Sequence, residues 1–509
     1  MISIVHTMKN KTQPKFLLYI SGCFCILILA ASCSKQLKEQ PYSSIFTDNF
    51  YKTAADAEAA LVAVYGPMGD LYNTAATCAS DFSADQMYPR PVVGRDTYTL
   101  FSYDANYTTQ KSFSRQYESP EQIWQSSYAG IEKANGVISK VPNTNMDTAR
   151  RAVIIAEAYY MRAFYLWILT KNFGDVVIKT TPSANIADAM VGTSSRTDVY
   201  KQIFADLDVA VKALPSYSGS IRKGSPSKEV ALALYAKAAL YNENWPLALD
   251  KAKSVISSGK YSLMDNVLDV FNVDKEDVAR KENMWAFESE RTSPGFSTQI
   301  IGLFGPKNSD GPQYAPTSYG SAFMYQSFFD SFDPTDQRRQ LMDTFYINKQ
   351  GKVVHQKDIT PITQHGVLIK KYMDPNATGS NGASNIPIFR LADVYLIAAE
   401  AAARQNGVTT EALGYVNTVR HRAGLADLGA SLSKDQLIAA ILQERSWEFF
   451  GEGDRWYDLT RTNTFLQVIP KCVNDVYPAR TPQARNRYFP IPLDEVNANS
   501  KLTQNPDWK

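Results

Sequence analysis

The sequence predicts a mostly α protein built from tetratricopeptide-like helical hairpins that carry one loop-rich insertion. Three observations predict it. Residues 227–259 read as two helices broken at Asn242–Asn244, with Ala231, Ala233, Ala236, Ala238, Ala239, Ala248 and Ala252 at the contact. Small residues let helices approach closely, as in tetratricopeptide repeats. A second pair of this kind occupies 388–405 and 408–422, separated by Asn406-Gly407. Between the pairs, residues 260–386 are rich in turn formers, among them Pro294, Gly295, Gly305, Pro306, Gly311, Pro312, Pro316 and Gly320. Long loops inside a compact protein are usually functional. Helices on both sides make this stretch an insertion.

The other elements follow in order. Thr47-Asp48-Asn49 is a helix start, and Ala54, Ala57, Leu61 and Val64 give a buried stripe that Gly66-Pro67 ends. Residues 70–118 contain Pro89, Pro91, Gly94 and many Tyr, Thr and Ser, and read as an excursion without helical pattern. Ser119-Pro120-Glu121 opens a helix to 140, with Pro at the first helical position. The next spans about 147–172, with Ala152, Ile155, Ala156, Tyr159, Ala163 and Leu166 on one face and a turn at Gly174. Thr197 caps a helix to Leu214, Ser227 caps the next, and a last strong helix runs over 434–450. No clean 34-residue repeat is present; the hairpins are alike in pattern, not in letters.

The N-terminus bears on location. Lys9, Lys11 and Lys15 precede an apolar core from Phe16 to about Leu29, followed by Ala30-Ala31-Ser32-Cys33. This is a secretory signal peptide, too short to span a bilayer stably. The small residues before Cys33 resemble a bacterial lipobox, although Ala30 stands where most have Leu. That resemblance implies cleavage before Cys33 and lipid on its thiol; ordinary cleavage after Ala-Ser is the alternative. Removing residues 1–32 takes away three lysines and no acid, so 53 basic residues become 50 against 51 acidic. A near-neutral chain argues against a nucleic-acid binder. Four histidines, none closely paired, leave little for a His-based metal site, and no metal or cofactor is expected. Cys78 and Cys472 are either an envelope disulfide or two free, partly buried thiols. The aromatic content is high, with 29 Tyr, 24 Phe and 7 Trp. Tyr excess suits both helix packing and a wet binding surface.

Several blocks together resemble the SusD/RagB-like outer-membrane nutrient-binding lipoproteins. They are Cys33-Ser34 through Pro41 to Thr47-Asp48-Asn49-Phe50; 123–138; 157–178, with Arg162-Ala163-Phe164 and Phe173-Gly174-Asp175-Val176; 198–215; 388–407; 416–425; 444–461; and 488–508. Any one is weak, but their co-linear series covers nearly all of the chain after residue 32. Val177 departs from the Pro the family often has there. The resemblance implies a SusD-like fold and a non-enzymatic protein, lipid-anchored at Cys33 in the outer membrane and facing outside. Its partners would be a SusC-like TonB-dependent barrel and an oligosaccharide, or a peptide in the RagB branch. The implied organisation is a signal peptide at 1–32, a tether at 33–46 and one domain at 47–509. Within that domain the helical scaffold is about 47–260 and 387–460, the loop-rich region about 260–386, and the C-terminal segment 461–509.

Two sets of residues are candidates for chemistry. Glu444, Glu448, Glu452, Asp454 and Asp458, interleaved with Arg445, Arg455 and Arg461, could be read as glycosidase carboxylates. The favoured reading is an Arg–carboxylate lattice reaching Arg390, Arg420 or Arg422, because guanidinium pairs bidentately with carboxylate. Asp393 and Glu400 read as buried, paired charges, and His421 as structural. For a ligand, sugar rings need flat aromatic faces and polar edges. The windows 72–107 and 291–325 hold both, and family members often build their platform from these regions. Within them Asp85, Tyr88, Tyr98, Tyr103, Phe296, Tyr314 and Tyr319 are the candidate ligand contacts. Trp124 and Trp167 sit in helices and are expected to pack. A protein-only helical scaffold is the remaining alternative.

Overall fold

The computed structural model describes residues 50–91, 94–107, 118–292, 297–307, 309 and 313–509. The signal peptide, Cys33, the tether and Thr47–Asn49 lie outside the described residues. Helix α1 (Ala54–Tyr65) starts at Thr53, where Thr53 and Asp56 close a reciprocal capping box. It does not end at Gly66. That residue is right-handed helical, and helical turns continue through Pro67–Asp70, Leu71–Ala75 and Ala76–Asp81. The first part of the expected excursion is therefore helical. Its helicity comes from packing against the next helices rather than from periodicity.

The main scaffold continues with α2 (Pro120–Lys140), α3 (Thr148–Phe173), α4 (Arg196–Ala213), α5 (Lys228–Tyr241) and α6 (Trp245–Ser257). After the loop-rich stretch come α7 (Leu391–Asn406), α8 (Thr410–Arg422), α9 (Lys434–Glu448) and α10 (Arg455–Arg461). Asp147, Ser195, Ser227, Asn244, Thr409 and Ser433 each accept a backbone N–H at a helix start. Ser195 therefore takes the capping role expected of Thr197. Each helix from α2 to α6 packs on the next, α6 packs directly on α7, and α7 packs on α8 and α9. The scaffold is continuous in space although 258–390 interrupts it in sequence.

Helix α3 is long and apolar enough to cross a membrane, yet 78% of its most apolar window is buried inside the protein. It is a core helix. Its buried face begins at Ile154 and Ala158, while Ala152 is exposed and Ile155 and Tyr159 are half-buried, so the face expected from periodicity is rotated. From Tyr160 onward nearly every side is covered. Arg162 locks three helices: it donates to both Asp206 oxygens (2.8 and 2.6 Å) and to Asn135 Oδ1 (2.9 Å). Gly174 ends α3 at φ +77°, and Asp175 then accepts the Arg196 N–H at 2.7 Å, setting the start of α4.

The contact between α2 and α3 depends on Gly130. A Cβ there would lie 2.2 Å from the ring of buried Tyr165, whose hydroxyl donates to Val64 O at 2.8 Å. That ring is held from both ends. Gly130→Ala is expected to cost about 1–3 kcal/mol of overpacking, less up to about 1 kcal/mol of gained helix propensity. Urea unfolding of the variant measures the net loss.

The short strands are β1 (Met87–Pro89), β2 (Asn283–Phe287), β3 (Ala322–Met324), β4 (Met342–Asp343), β5 (Phe345–Ile347), β6 (Val353–His355), β7 (Leu368–Ile369) and β8 (Ile386–Arg390). Among the described residues they form four antiparallel pairs: β1–β3, β2–β8, β4–β7 and β5–β6. Residues 388–390, expected to open α7, instead end β8. The β2–β8 pair closes the loop-rich excursion at its base. Trp285 on β2 sits edge-on to Tyr160 and Phe164 of α3 (5.1 and 5.0 Å) and stacks on Phe389.

Candidate ligand-binding surface

The two aromatic windows meet. β1 and β3 pair with the register Met87↔Met324, Tyr88↔Phe323 and Pro89↔Ala322, extended by Tyr325 N–H to Gln86 O and Arg90 N–H to Ser321 O. Met324 also exchanges both backbone hydrogen bonds with Val367 (2.8 and 3.1 Å), which brings a third loop to the same place. The chain approach is tight. A Cβ on Gly366 would fall 2.2 Å from Phe323 and 2.5 Å from the Tyr88 hydroxyl.

This platform is pinned to the scaffold from below. Asp85 receives Arg455 bidentately, at 2.8 Å to each oxygen. Burial alone would raise the Asp85 carboxyl, but Arg455 holds it below the usual range. Gln86 donates to Ser446 O (2.7 Å) and Oγ (3.0 Å). Buried Arg480 donates to Thr99 O, Ala84 O, Phe82 O and Ser83 O, so four carbonyls of the first window close on one guanidinium.

That anchoring decides where the expected contacts lie. Tyr88 is 3% exposed and packs among Phe323, Tyr325 and Tyr477. Tyr98 is fully buried and donates to Glu118 O at 2.7 Å. Tyr103 accepts from Asn486 Nδ2 and lies against Phe489 and Trp508. These three rings are in the interior, with faces taken by other aromatics, and Asp85 is held by its arginine. Tyr314 is 3% exposed, with its hydroxyl toward Asp343 at 3.4 Å. Tyr319 is half-buried and donates to Ser380 Oγ at 2.8 Å. Phe296 lies outside the described residues. Of the five described tyrosine candidates and Asp85, Tyr319 is the one aromatic residue that is not fully buried.

Beside Tyr314 and along the Ser380 loop the structure adds residues that the sequence windows missed. Asp343 sits between the Tyr314 hydroxyl and Lys370 Nζ (3.4 Å), and burial raises its carboxyl. Asp374 takes Arg291 bidentately (2.9 and 2.8 Å) and accepts the Ala383 and Asn376 N–H groups, fixing the loop that carries Ser380. Asp343, Lys370, Asp374 and Ser380 lie past position 325, outside both windows. A cavity of about 490 Å³ is lined by residues of α2, 177–190 and 495–502, and by none of either window.

The acidic series is the expected lattice. Glu444 meets Arg338 and Arg420 (2.7 and 2.9 Å), and Glu448 meets Arg338, Arg390 and Arg422. Glu452 meets Arg390 and Lys371, each at 2.8 Å. Asp454 meets Lys237 (2.8 Å), and Asp458 meets Arg445 and Arg461. Asp393 and Glu400 are buried and paired with Arg445 and Arg461. Gly451 and Gly453 turn the chain at φ +69° and +82° between α9 and α10. His421 is exposed and pairs with Asp427, so it is a surface group rather than a structural one. Cys78 and Cys472 are both free and buried, and Cys472 Sγ donates to Asp85 O. Trp124 and Trp167 are 3% and 2% exposed.

Comparison with known proteins matches this architecture. The sequence model of the SusD family matches residues 317–508, and that described as "Starch-binding associating with outer membrane" matches 36–240. The chain is 26% identical to "SusD-like protein P25" of Formosa agariphila, over 98% of each chain. A laminarin-binding SusD-like protein superposes with a TM-score of 0.75 at 23% identity, over 90% of this chain and all of the other. Surface glycan-binding protein A from Bacteroides thetaiotaomicron, solved with laminarihexaose, superposes with a TM-score of 0.73 at 21% identity, over 89% and 100%. The two family models meet different halves of one continuous helical scaffold, and the chain belongs to the SusD/RagB family.

Proposed function

We propose that this protein is a lipid-anchored outer-membrane binding protein that captures an oligosaccharide and passes it to a TonB-dependent barrel, making and breaking no bond. The observation that carries the reading is the β1–β3 pairing, which joins the two aromatic windows into one platform. Tyr319 is its half-buried ring. Asp343, Lys370 and Ser380 supply polar edges, and Asp85, Tyr88, Tyr98 and Tyr103 shape the platform from beneath. A flat ring beside hydrogen-bonding groups suits the C–H face and hydroxyl rim of a sugar. The glycan-binding relatives of the same fold support the ligand class. The engagement of the carboxylates at 444–458 by arginines supports binding without hydrolysis. Anchoring through Cys33 rests on the lipobox-like sequence, and outer-membrane location on the family description.

Calorimetric titration of the purified protein with laminari-, malto- and xylo-oligosaccharides and with peptides tests this. A saturable glycan signal without product is expected, weakened about tenfold by Tyr319→Ala through loss of ring contact. Peptide-only binding, product formation or an unaffected Tyr319→Ala variant overturns the corresponding part of the reading. Co-purification with an outer-membrane barrel tests the delivery step.

A further inference from the structure

A second, smaller site is built from cations and tyrosines at the junction of α3, α4, α10 and the C-terminal segment. One void there is lined by Lys171, Arg196, Arg461 and Arg487, and by four tyrosines. Each cation sits on one of those rings. Lys171 Nζ is 4.1 Å from the Tyr457 centroid, Arg196 is 5.0 Å from Tyr200, Arg461 is 5.5 Å from Tyr241, and Arg487 is 5.5 Å from Tyr488. A ring face holds a cation in place but does not neutralise it.

The charge balance at this void differs from that of the lattice at 444–458, where the buried arginines and lysines are matched by carboxylates. Here only Arg461 has carboxylate partners, Glu400 and Asp458. Arg196 donates to the Tyr241 carbonyl at 2.6 Å, a neutral acceptor. Lys171 and Arg487 form no ion pair or hydrogen bond with any described residue, and Lys171 rests against Trp167 and Tyr457. Asp454 and Glu243 act on Lys171 and Arg196 at longer range. Tyr241, which also lines the void, is 3% exposed, and its buried hydroxyl has no hydrogen-bond partner. A buried unpaired hydroxyl is costly unless an acceptor reaches it. The Lys171 ammonium is pushed down to about 7 by burial, as expected of a lysine that lacks a counter-charge.

We propose that this void binds a small anionic group, a carboxylate, sulfate or phosphate, with Lys171, Arg196 and Arg487 as its cationic donors and the Tyr241 hydroxyl as its neutral one. The accessible space, about 20 Å³, is near that of one water, so such a group seats one oxygen in the void with the rest at its mouth, and a sugar ring is excluded. The group belongs either to a free inorganic anion or to an acidic substituent of a larger ligand. This site shares no residue with the Tyr319 platform and stands whether or not that platform binds glycan.

The test is calorimetric titration of the purified protein at constant ionic strength with sodium sulfate, phosphate and acetate. A sulfated and a uronic-acid oligosaccharide are titrated beside their neutral counterparts. Saturable binding of at least one anion is expected, weakened about tenfold or more by Arg487→Gln and by Arg196→Gln, each of which removes one charge-assisted contact. Tighter binding of the acidic oligosaccharides than of the free anions assigns the group to a larger ligand; the reverse assigns it to a free anion. The Arg487→Gln variant loses no internal ion pair, so its unfolding midpoint is expected to be unchanged. No saturable binding of any probe, or binding that both variants retain at full strength, overturns the proposal.

Discussion

Glu448→Ala is expected to destabilise the protein by about 3–5 kcal/mol, the cost of leaving buried charge without its partner. Glu448 is the centre of the lattice. Its fully buried carboxylate faces Arg338 (3.1 Å), Arg390 (2.9 Å) and Arg422. Around it Arg338, Arg390, Arg420, Arg422 and Lys371 are matched by Asp336, Glu282, Glu444, Glu448 and Glu452, five cations against five anions. Removing one anion leaves a net positive charge in a site that water does not reach. Burial alone would raise the Glu448 carboxyl, but Arg422, Arg390 and Arg338 hold it well below the usual range. Glu400, under Arg461, is lowered to about 2. The folded value lies below the unfolded one in both cases. The stabilisation is therefore complete above about pH 4.5 and is lost as pH falls toward 2, worth about 3 kcal/mol for Glu400. Urea unfolding at pH 7 and at pH 3 measures both effects. Glu411→Ala, which breaks the exposed Lys253 pair, is the control and is expected to cost under about 1 kcal/mol. A Glu448→Ala protein that unfolds like the wild type would remove the lattice as the reason for these residues, and a hydrolytic role would have to be reconsidered.

Much of this arrangement was legible in the chain. The alternation of Arg with Asp and Glu at 444–461 foretold a lattice, because guanidinium and carboxylate at that density have no cheaper solution than each other. The helical hairpins were legible from alanine spacing and from Ser227 and Asn406-Gly407 as boundaries. What escaped was set by long-range contact. Residues 67–81 are helical although no periodic stripe marks them, because α2 covers them. Ile388–Arg390 look helical in letters but pair with β2, about a hundred residues away in sequence. The ligand windows were legible as regions, and β1–β3 joins them. The choice of rings within them was not. Tyr is equally at home in a core and at a wet surface, and only the positions of Phe323, Phe489 and Tyr477 decide that Tyr88, Tyr98 and Tyr103 are inside while Tyr319 is at the edge.

Asp81 and Asp85 carry the same side chain four residues apart, and the structure gives them opposite electrostatics. Asp85 is ionised against Arg455. Asp81 is fully buried, and neither of its oxygens has a well-formed hydrogen bond, the Gly453 N–H being the donor that faces it. Burial is the largest effect on it. The Gly453 N–H and Lys371 oppose that effect only in part, Asp454 and Glu452 add to it, and the carboxyl is raised to about 8. Its folded value lies above its unfolded one. The stability it leaves in place below about pH 4 is therefore withdrawn as pH rises, by about 4 kcal/mol between pH 5 and pH 8. Asp81→Asn is a neutral isostere of the protonated acid and removes this dependence. Below about pH 4, where Asp81 is protonated in both folded and unfolded chains, the two proteins are expected to unfold at similar urea concentrations, and by pH 5 the variant leads by about 1–2 kcal/mol. At pH 8 the variant is expected to be the more stable by a few kcal/mol, and the gap between them should widen steadily over the interval. Asp85→Asn is expected to do the reverse and lose stability at neutral pH, because Arg455 would keep its charge in a buried site with no anion to meet it. A constant gap between wild type and Asp81→Asn across pH 5–8 would mean that Asp81 is ionised in the folded protein, with Lys371 close enough to hold it so.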